Sequence, residues 1–175
     1  MSLCRAAYAE KELEGQCREL LRYVPGYRGY KVKEWRRRED KRLRAEISRM
    51  LFSGAARLEL VEKEAFLSGS RGSASMLANS RRRLAEICEF LESASGVNSR
   101  FFEDDIVSAG RLMGVQEADL EIFRMADSIV KCISKLEQPD LPPDERESRT
   151  NYLVDFVDRI CLACDGRQDM LSESW

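Results

Sequence analysis

The chain has 175 residues, 43 % of them hydrophobic and 34 % charged, with 29 Lys and Arg against 31 Asp and Glu for a net charge of −2. That mixture predicts one folded domain with long amphipathic, heavily charged helices and argues against disorder. Histidine is absent, which removes Ser-His and Cys-His catalysis, Glu-x-x-His di-iron sites, histidine phosphotransfer, His-ligated zinc and histidine-ligated haem.

From Leu3 to about Arg22 the composition is helical, with Leu13, Cys17, Leu20, Leu21 and Val24 at helical spacing. Pro25, Gly26 and Gly29 end that helix, and Tyr27 to Tyr30 reads as an aromatic turn. The pattern restarts at Lys31 and continues to about Phe66 through Val32, Trp35, Leu43, Ile47, Met50, Leu51, Leu58, Val61 and Ala65, eased at Ser53-Gly54. Such a helix spans roughly 50 Å and is the expected spine of the domain. Its start is densely basic: ten Lys and Arg against four acids lie between Arg28 and Arg49, so the remainder of the chain sums to −8. Glu34 with Arg38, Asp40 with Arg44 and Arg42 with Glu46 are four apart and predict helical ion pairs. Glu39 projects onto the apolar stripe. Either the stripe leaves the core there, the reading preferred from the sequence, or Glu39 is a partly buried acid paired with Arg36 or Arg42.

A turn over 67–73 lacks the spacing of a phosphate loop. A third helix, about Ser75 to Ser93, turns Leu77, Leu84, Ile87, Cys88 and Leu91 inward and Arg81 to Arg83 outward, and Gly96-Val97-Asn98 breaks it. Phe101 to Asp105 opens a short helix expected to end at Gly114 in a Schellman cap, since apolar Val115 follows. The next helix, Gln116 to Glu137, is apolar on two sides and is the expected central helix. Asp127 is its candidate buried acid, with satisfaction by an arginine as the plainer alternative. A proline-rich connection leads to a last helix that presents Leu153, Phe156, Val157, Ile160 and Cys164 inward and closes at Gly166. The expectation is an all-α bundle of five to six helices in one domain over residues 1–166, with a frayed tail over 167–175.

Among candidate chemistries, Cys161-x-x-Cys164 lies at the end of a helix, where the dipole does not lower a thiol pKa, and has no second pair to complete a zinc site. Structural packing of reduced thiols is the reading. Glu86-x-x-Glu89-x-x-Glu92 with Asp155-x-x-Asp158 could hold Mg²⁺, as in all-helical nucleotide pyrophosphohydrolases. The first two glutamates, however, point away from their helix's apolar stripe. The sequence therefore favours a protein without enzymatic activity and without a cofactor.

Pro25-Gly-Tyr-Arg-Gly-Tyr-Lys-Val-Lys-Glu34 with its basic continuation, together with Phe101-Phe102, Glu117-Ala118-Asp119-Leu120 and Phe123, resembles an uncharacterised family of prokaryotic all-helical proteins. The resemblance implies a helical bundle and no activity, and supplies no catalytic residues.

The functional expectation is an interaction or scaffold protein in which Tyr27, Tyr30, Trp35, Arg36, Arg37, Arg38, Lys41 and Arg42 meet an acidic partner or a second copy of the chain, since Arg, Tyr and Trp are enriched at binding hot spots. Self-association is expected because so long a helix outruns its neighbours, and because residues 137–175 carry ten acids against four basic residues. Nucleic acid is disfavoured by a pI near 5.5 and the lack of a binding motif. Attachment to a membrane surface is disfavoured by the thin apolar stripe near Trp35. With no signal-peptide core and no apolar run of membrane-spanning length, the expected location is the cytoplasm.

Overall fold

The computed structural model describes residues 2–94 and 99–172, with side chains from residue 8 onward. The expected break at Gly96-Val97-Asn98, the side chain of Cys4 and the last three residues of the expected tail lie outside the described residues. Within them the chain is all-helical: α1 (Ser2–Leu20), α2 (Lys33–Leu67), α3 (Arg71–Ser93), α4 (Arg100–Glu103), α5 (Ala109–Leu136) and α6 (Pro143–Ser172). No helix among them is long and apolar enough to cross a membrane.

Two antiparallel hairpins, α2 with α3 and α5 with α6, stack so that α2 lies on α5 and α3 on α6. Ion pairs fix the directions. Asp40 meets Arg167 at one end of the bundle and Arg57 meets Glu137 at the other, while Arg83 meets Asp158 between α3 and α6. Helices of like direction are therefore neighbours across the stack. Helix α1 packs on α5, which thus touches α1, α2 and α6 and occupies the central place its two-sided apolar pattern requires. Leu43, Ile47, Leu51, Leu58 and Val61 of α2 face Leu77, Leu84 and Leu91 of α3, Ile129 and Ile133 of α5, and Leu153 and Ile160 of α6 in one continuous core.

The long helix runs unbroken through Ser53-Gly54. Gly54 sits where a Cβ would stand 3.1 Å from Ile133 Cδ1, so the residue that reads as a weak point is a close approach of α2 to α5. The helix ends in a Schellman motif at Gly69: Gly69 has φ +83°, its N–H donates to Phe66 O at 3.1 Å, and Ser70 N–H donates to Ala65 O at 2.9 Å. The short helix α4 stops at Glu103, without the Schellman cap expected for it at Gly114. Gly114 lies inside α5, which begins seven residues before the expected start, at Ala109. The Ser108 side chain caps it by accepting from Arg111 N–H at 3.3 Å. The chain between α1 and α2 doubles back alongside α5. Gly26 at φ +77° and Gly29 at φ +74° make the bends, and Tyr23 stacks on Phe123 with centroids 4.8 Å apart.

The largest departure is at the C-terminus. Gly166 does not close the last helix; α6 continues to Ser172, with Arg167 and Leu171 buried, so residues 167–172 belong to the bundle and not to a frayed tail. Gly166 is an interior helical position, and a Cβ added there would have nothing within 4 Å. Gly166→Ala should therefore raise stability by about 0.5–1 kcal/mol in urea unfolding; a loss would mean that the glycine is a helix stop after all.

Candidate functional site

The basic segment continues the buried face of α2 with charged side chains in place of apolar ones. Extending the stripe Leu43, Ile47, Leu51 back by one heptad reaches Arg36, Asp40 and Arg44, and these are buried together with Glu39, whereas Trp35 is only half-buried and Val32 is exposed. The first three turns of α2 thus put charge into the core, at the end of the bundle where α3 and α6 finish and α5 starts.

Arg167 of α6 is at the centre. Its Nε donates to Asp119 Oδ1 of α5, and its Nη2 donates to Asp40 Oδ1 at 2.7 Å and to the Tyr30 hydroxyl at 3.1 Å. Tyr30 in turn donates to Asp119 Oδ2 at 2.8 Å. Asp40 Oδ2 accepts from Arg44 Nε at 3.0 Å, and Arg44 Nη1 donates to the Leu91 carbonyl, in the last turn of α3, at 2.5 Å. Two arginines and two aspartates balance, and each is satisfied by hydrogen bonds, which is the condition for burying charge. Burial alone would lower the Arg167 pKa, but Asp119, Tyr30 and Asp40 outweigh it and hold the guanidinium well above its ordinary value. Burial pushes the Asp119 carboxyl up, with Arg167 and the Tyr30 hydroxyl pulling against it. Burial likewise raises the Tyr27 and Tyr30 hydroxyls, which remain neutral.

Beside this network Arg36 is 1 % exposed, and it donates to three carbonyls: Tyr30 O at 2.8 Å, Phe101 O at 3.0 Å and Asp104 O at 2.7 Å. One side chain thereby ties the turn before α2 to α4. Phe101 seats edge-on against Tyr30 at 5.3 Å and against Phe102 at 5.1 Å. Glu39 is fully buried. It accepts from Arg42 at 2.9 Å, from Arg38 at 3.2 Å and from the Arg28 backbone N–H at 3.3 Å, so the preferred reading of Glu39 is overturned and the paired-acid alternative holds. Arg42 also reaches the Pro25 and Gly26 carbonyls.

Of the eight residues expected to meet a partner, Tyr27, Tyr30 and Arg36 are therefore inside the molecule, because the chain returning from α1 to α2 covers them. Trp35 is half-buried beneath the Arg28 guanidinium at 4.9 Å, Arg37 pairs with Glu103 and lies over Phe102, and only Lys41 is an exposed cation with no part in the turn. Of the three ion pairs read at i,i+4, Asp40 with Arg44 forms and is buried, while Arg38 and Arg42 both turn to Glu39 and Glu46 turns to Arg49. Asp127 is a half-exposed partner of Lys131; the buried acid of α5 is Asp119, eight residues earlier. The spacing Gln116, Asp119, Phe123, Ala126 carries the signal for it, since all four are buried on one stripe. Nothing comparable in the sequence singles out Arg167.

Four of the five acids considered for Mg²⁺ have other partners, and Glu89 is exposed: Glu86 pairs with Arg82, Asp155 with Arg159 and Asp158 with Arg83, while Glu92 accepts from Ser48. Among the described residues no three Asp, Glu, Cys or His side chains gather into a metal-binding group. Cys161 and Cys164 lie inside α6, both as free thiols, and burial raises the Cys164 pKa to about 12. No protein-family model matches this chain, nor does any curated protein or solved structure, so function rests on geometry alone.

Replacing Arg167 by Met leaves Asp119 buried without a cation and Asp40 with Arg44 alone, and should cost about 3–5 kcal/mol in urea unfolding. Tyr30→Phe removes one donor and one acceptor from the same network and should cost about 1–3 kcal/mol, keeping the test readable if the first variant does not fold. Iodoacetamide at neutral pH should label Cys164 roughly two to three orders of magnitude more slowly in the folded protein than in urea, read by tandem mass spectrometry; equal rates would show an accessible, ionised thiol.

Proposed function

We propose that this protein is a non-enzymatic helical interaction protein, and that it engages other protein surfaces through the outer face of the second half of α2. We place the contact there and not on the basic segment. Its arginines are committed within the molecule: Arg36 and Arg44 are buried, Arg38 and Arg42 hold Glu39, and Arg37 holds Glu103. Lys31 and Lys33 reach Glu10 and Asp105. What it presents outward is a largely compensated polar surface, poorly suited to collecting an acidic partner or a lipid headgroup layer.

Uncovered apolar surface lies further along the same helix. Phe52, Leu60, Phe66 and Leu67 are 67 %, 64 %, 63 % and 75 % exposed. At 100° per residue they fall, with exposed Ala56, on one arc of about 120° that faces away from both α3 and α5. Single exposed apolar side chains are ordinary, but four large ones on one face of one rigid helix form the kind of patch that marks a protein contact. A rigid helix also loses little conformational entropy on docking.

A benzophenone side chain introduced at Leu60, in cells making the protein, should give a discrete cross-linked adduct on irradiation. The same group at Arg82, on the exposed polar side of α3, should give none. Equal yields, or no adduct from position 60, would remove α2 as the contact surface.

A further inference from the structure

The outer face of α2 carries charge as well as apolar bulk, and the order of its residues selects an occupant. Glu59 and Lys63 are both exposed on this face, one turn apart, between Phe52 on one side and Phe66 and Leu67 on the other, with Leu60 beside them and Ala56 as the one small residue. Resting on the reading of this face as the contact surface, we infer that its occupant is a second copy of this chain, the two α2 helices packing antiparallel about a two-fold axis level with Val61, so that Glu59 of each copy meets Lys63 of the other.

That register satisfies every exposed residue of the face at once. Antiparallel helices related by a two-fold at position 61 place residue 59 opposite 63 and residue 56 opposite 66. Two reciprocal ion pairs then flank the axis. The Leu60 side chains of the two copies meet near it, only about 3 Å apart along the helix direction at 1.5 Å per residue. At either end the Phe66 ring enters the notch left by Ala56 of the other copy. Phe52 of that copy comes to lie about one turn or less beyond Leu67, which closes an apolar cluster over the Schellman turn. A parallel pairing would set Glu59 against Glu59 and Lys63 against Lys63, a like-charge arrangement that costs affinity. The contact is isologous and therefore closes as a dimer without leaving a free copy of itself to propagate. Among the described residues neither Glu59 nor Lys63 takes part in an ion pair that the antiparallel contact would have to break: the neighbouring Glu62 is the one that holds Arg81, and Arg57 holds Glu137.

Sedimentation equilibrium on four forms of the full chain tests this. The wild type should be dimeric. Glu59→Lys alone, and Lys63→Glu alone, each set like charges against one another at both positions and should weaken association about tenfold or more. An equimolar mixture of the two single variants should regain wild-type affinity as a heterodimer, because one copy then offers only cations and the other only anions, and the double variant should also dimerise. All the substituted side chains are exposed, and far-UV circular dichroism of each form controls for folding. A monomeric wild type, or single variants whose mixture fails to associate, would overturn the antiparallel second copy. If the wild type is monomeric while the Leu60 cross-linker still yields an adduct of some mass other than twice the chain, the contact face stands and its occupant is another protein. If no adduct forms either, the contact face falls as well.

Discussion

Arg167 reaches from the last helix across the interior to aspartates on two other helices and to a tyrosine in the turn that precedes α2. A guanidinium has five N–H donors and no way to shed its charge, so it can be buried only where anions and acceptors are already in place around it. Much of the arrangement at that end of the bundle meets this requirement. Asp119 lies on the buried stripe of α5. Asp40 lies on the stripe of α2, neutralised on its other oxygen by Arg44, which is anchored to the last turn of α3. Tyr30 bridges the two halves of the network as donor to Asp119 and acceptor from Arg167. The network draws α2, α3, α5, α6 and the Tyr30 turn to one point. Buried groups of this kind are weak evidence of net stability, and their service here is register: a rotation or slip of any one helix would strand a charge in the core.

The electrical division of the chain has the same explanation. A local excess of six positive charges over Arg28 to Arg49 reads in the sequence as a surface waiting for an acidic partner. In the folded chain the acidic and carbonyl partners come from Glu39 and Asp40 on the same helix, from Glu103, Asp104 and Asp105 after α3, from Glu10 in α1 and from the bare carbonyls of the turn at Pro25 and Gly26. Arginine suits this work because one planar fork can hold two or three carbonyl oxygens at fixed angles, as Arg36 does. The aromatic residues of the segment serve the same closure, Tyr27 and Tyr30 packing edge to face at 6.0 Å under the return of the chain.

With the basic end occupied in holding the bundle together, the part of α2 left with uncovered surface is its far half. There the helix has α3 and α5 on two sides, and no described element packs on the third. Phe52, Leu60, Phe66 and Leu67 stand on that third side at a spacing a helix keeps fixed, and a fixed spacing is what lets an apolar face recognise a particular partner instead of merely adhering.

The helices were legible in the sequence because hydrophobic period is a local property: α2, α3, α5 and the beginning of α6 follow from the recurrence of Leu, Ile and Val, and the all-α class from that recurrence with so few breakers. The ends were less so. Gly166 looks like a stop, and only the tertiary contacts of Arg167 and Leu171 beyond it carry the helix on to Ser172; Gly114 looks like a cap, and the capping of α5 by Ser108 places it inside. What the sequence could not decide was which side of α2 faces inward over its first three turns. Arginines and acids at those positions score as solvent-facing, and whether a charge is inside depends on whether opposite charges from distant segments arrive to meet it. Asp119 and Arg167 are 48 residues apart and Tyr30 and Arg167 are 137 apart, so the pairing that turns a basic surface into a buried core exists only once the helices have packed.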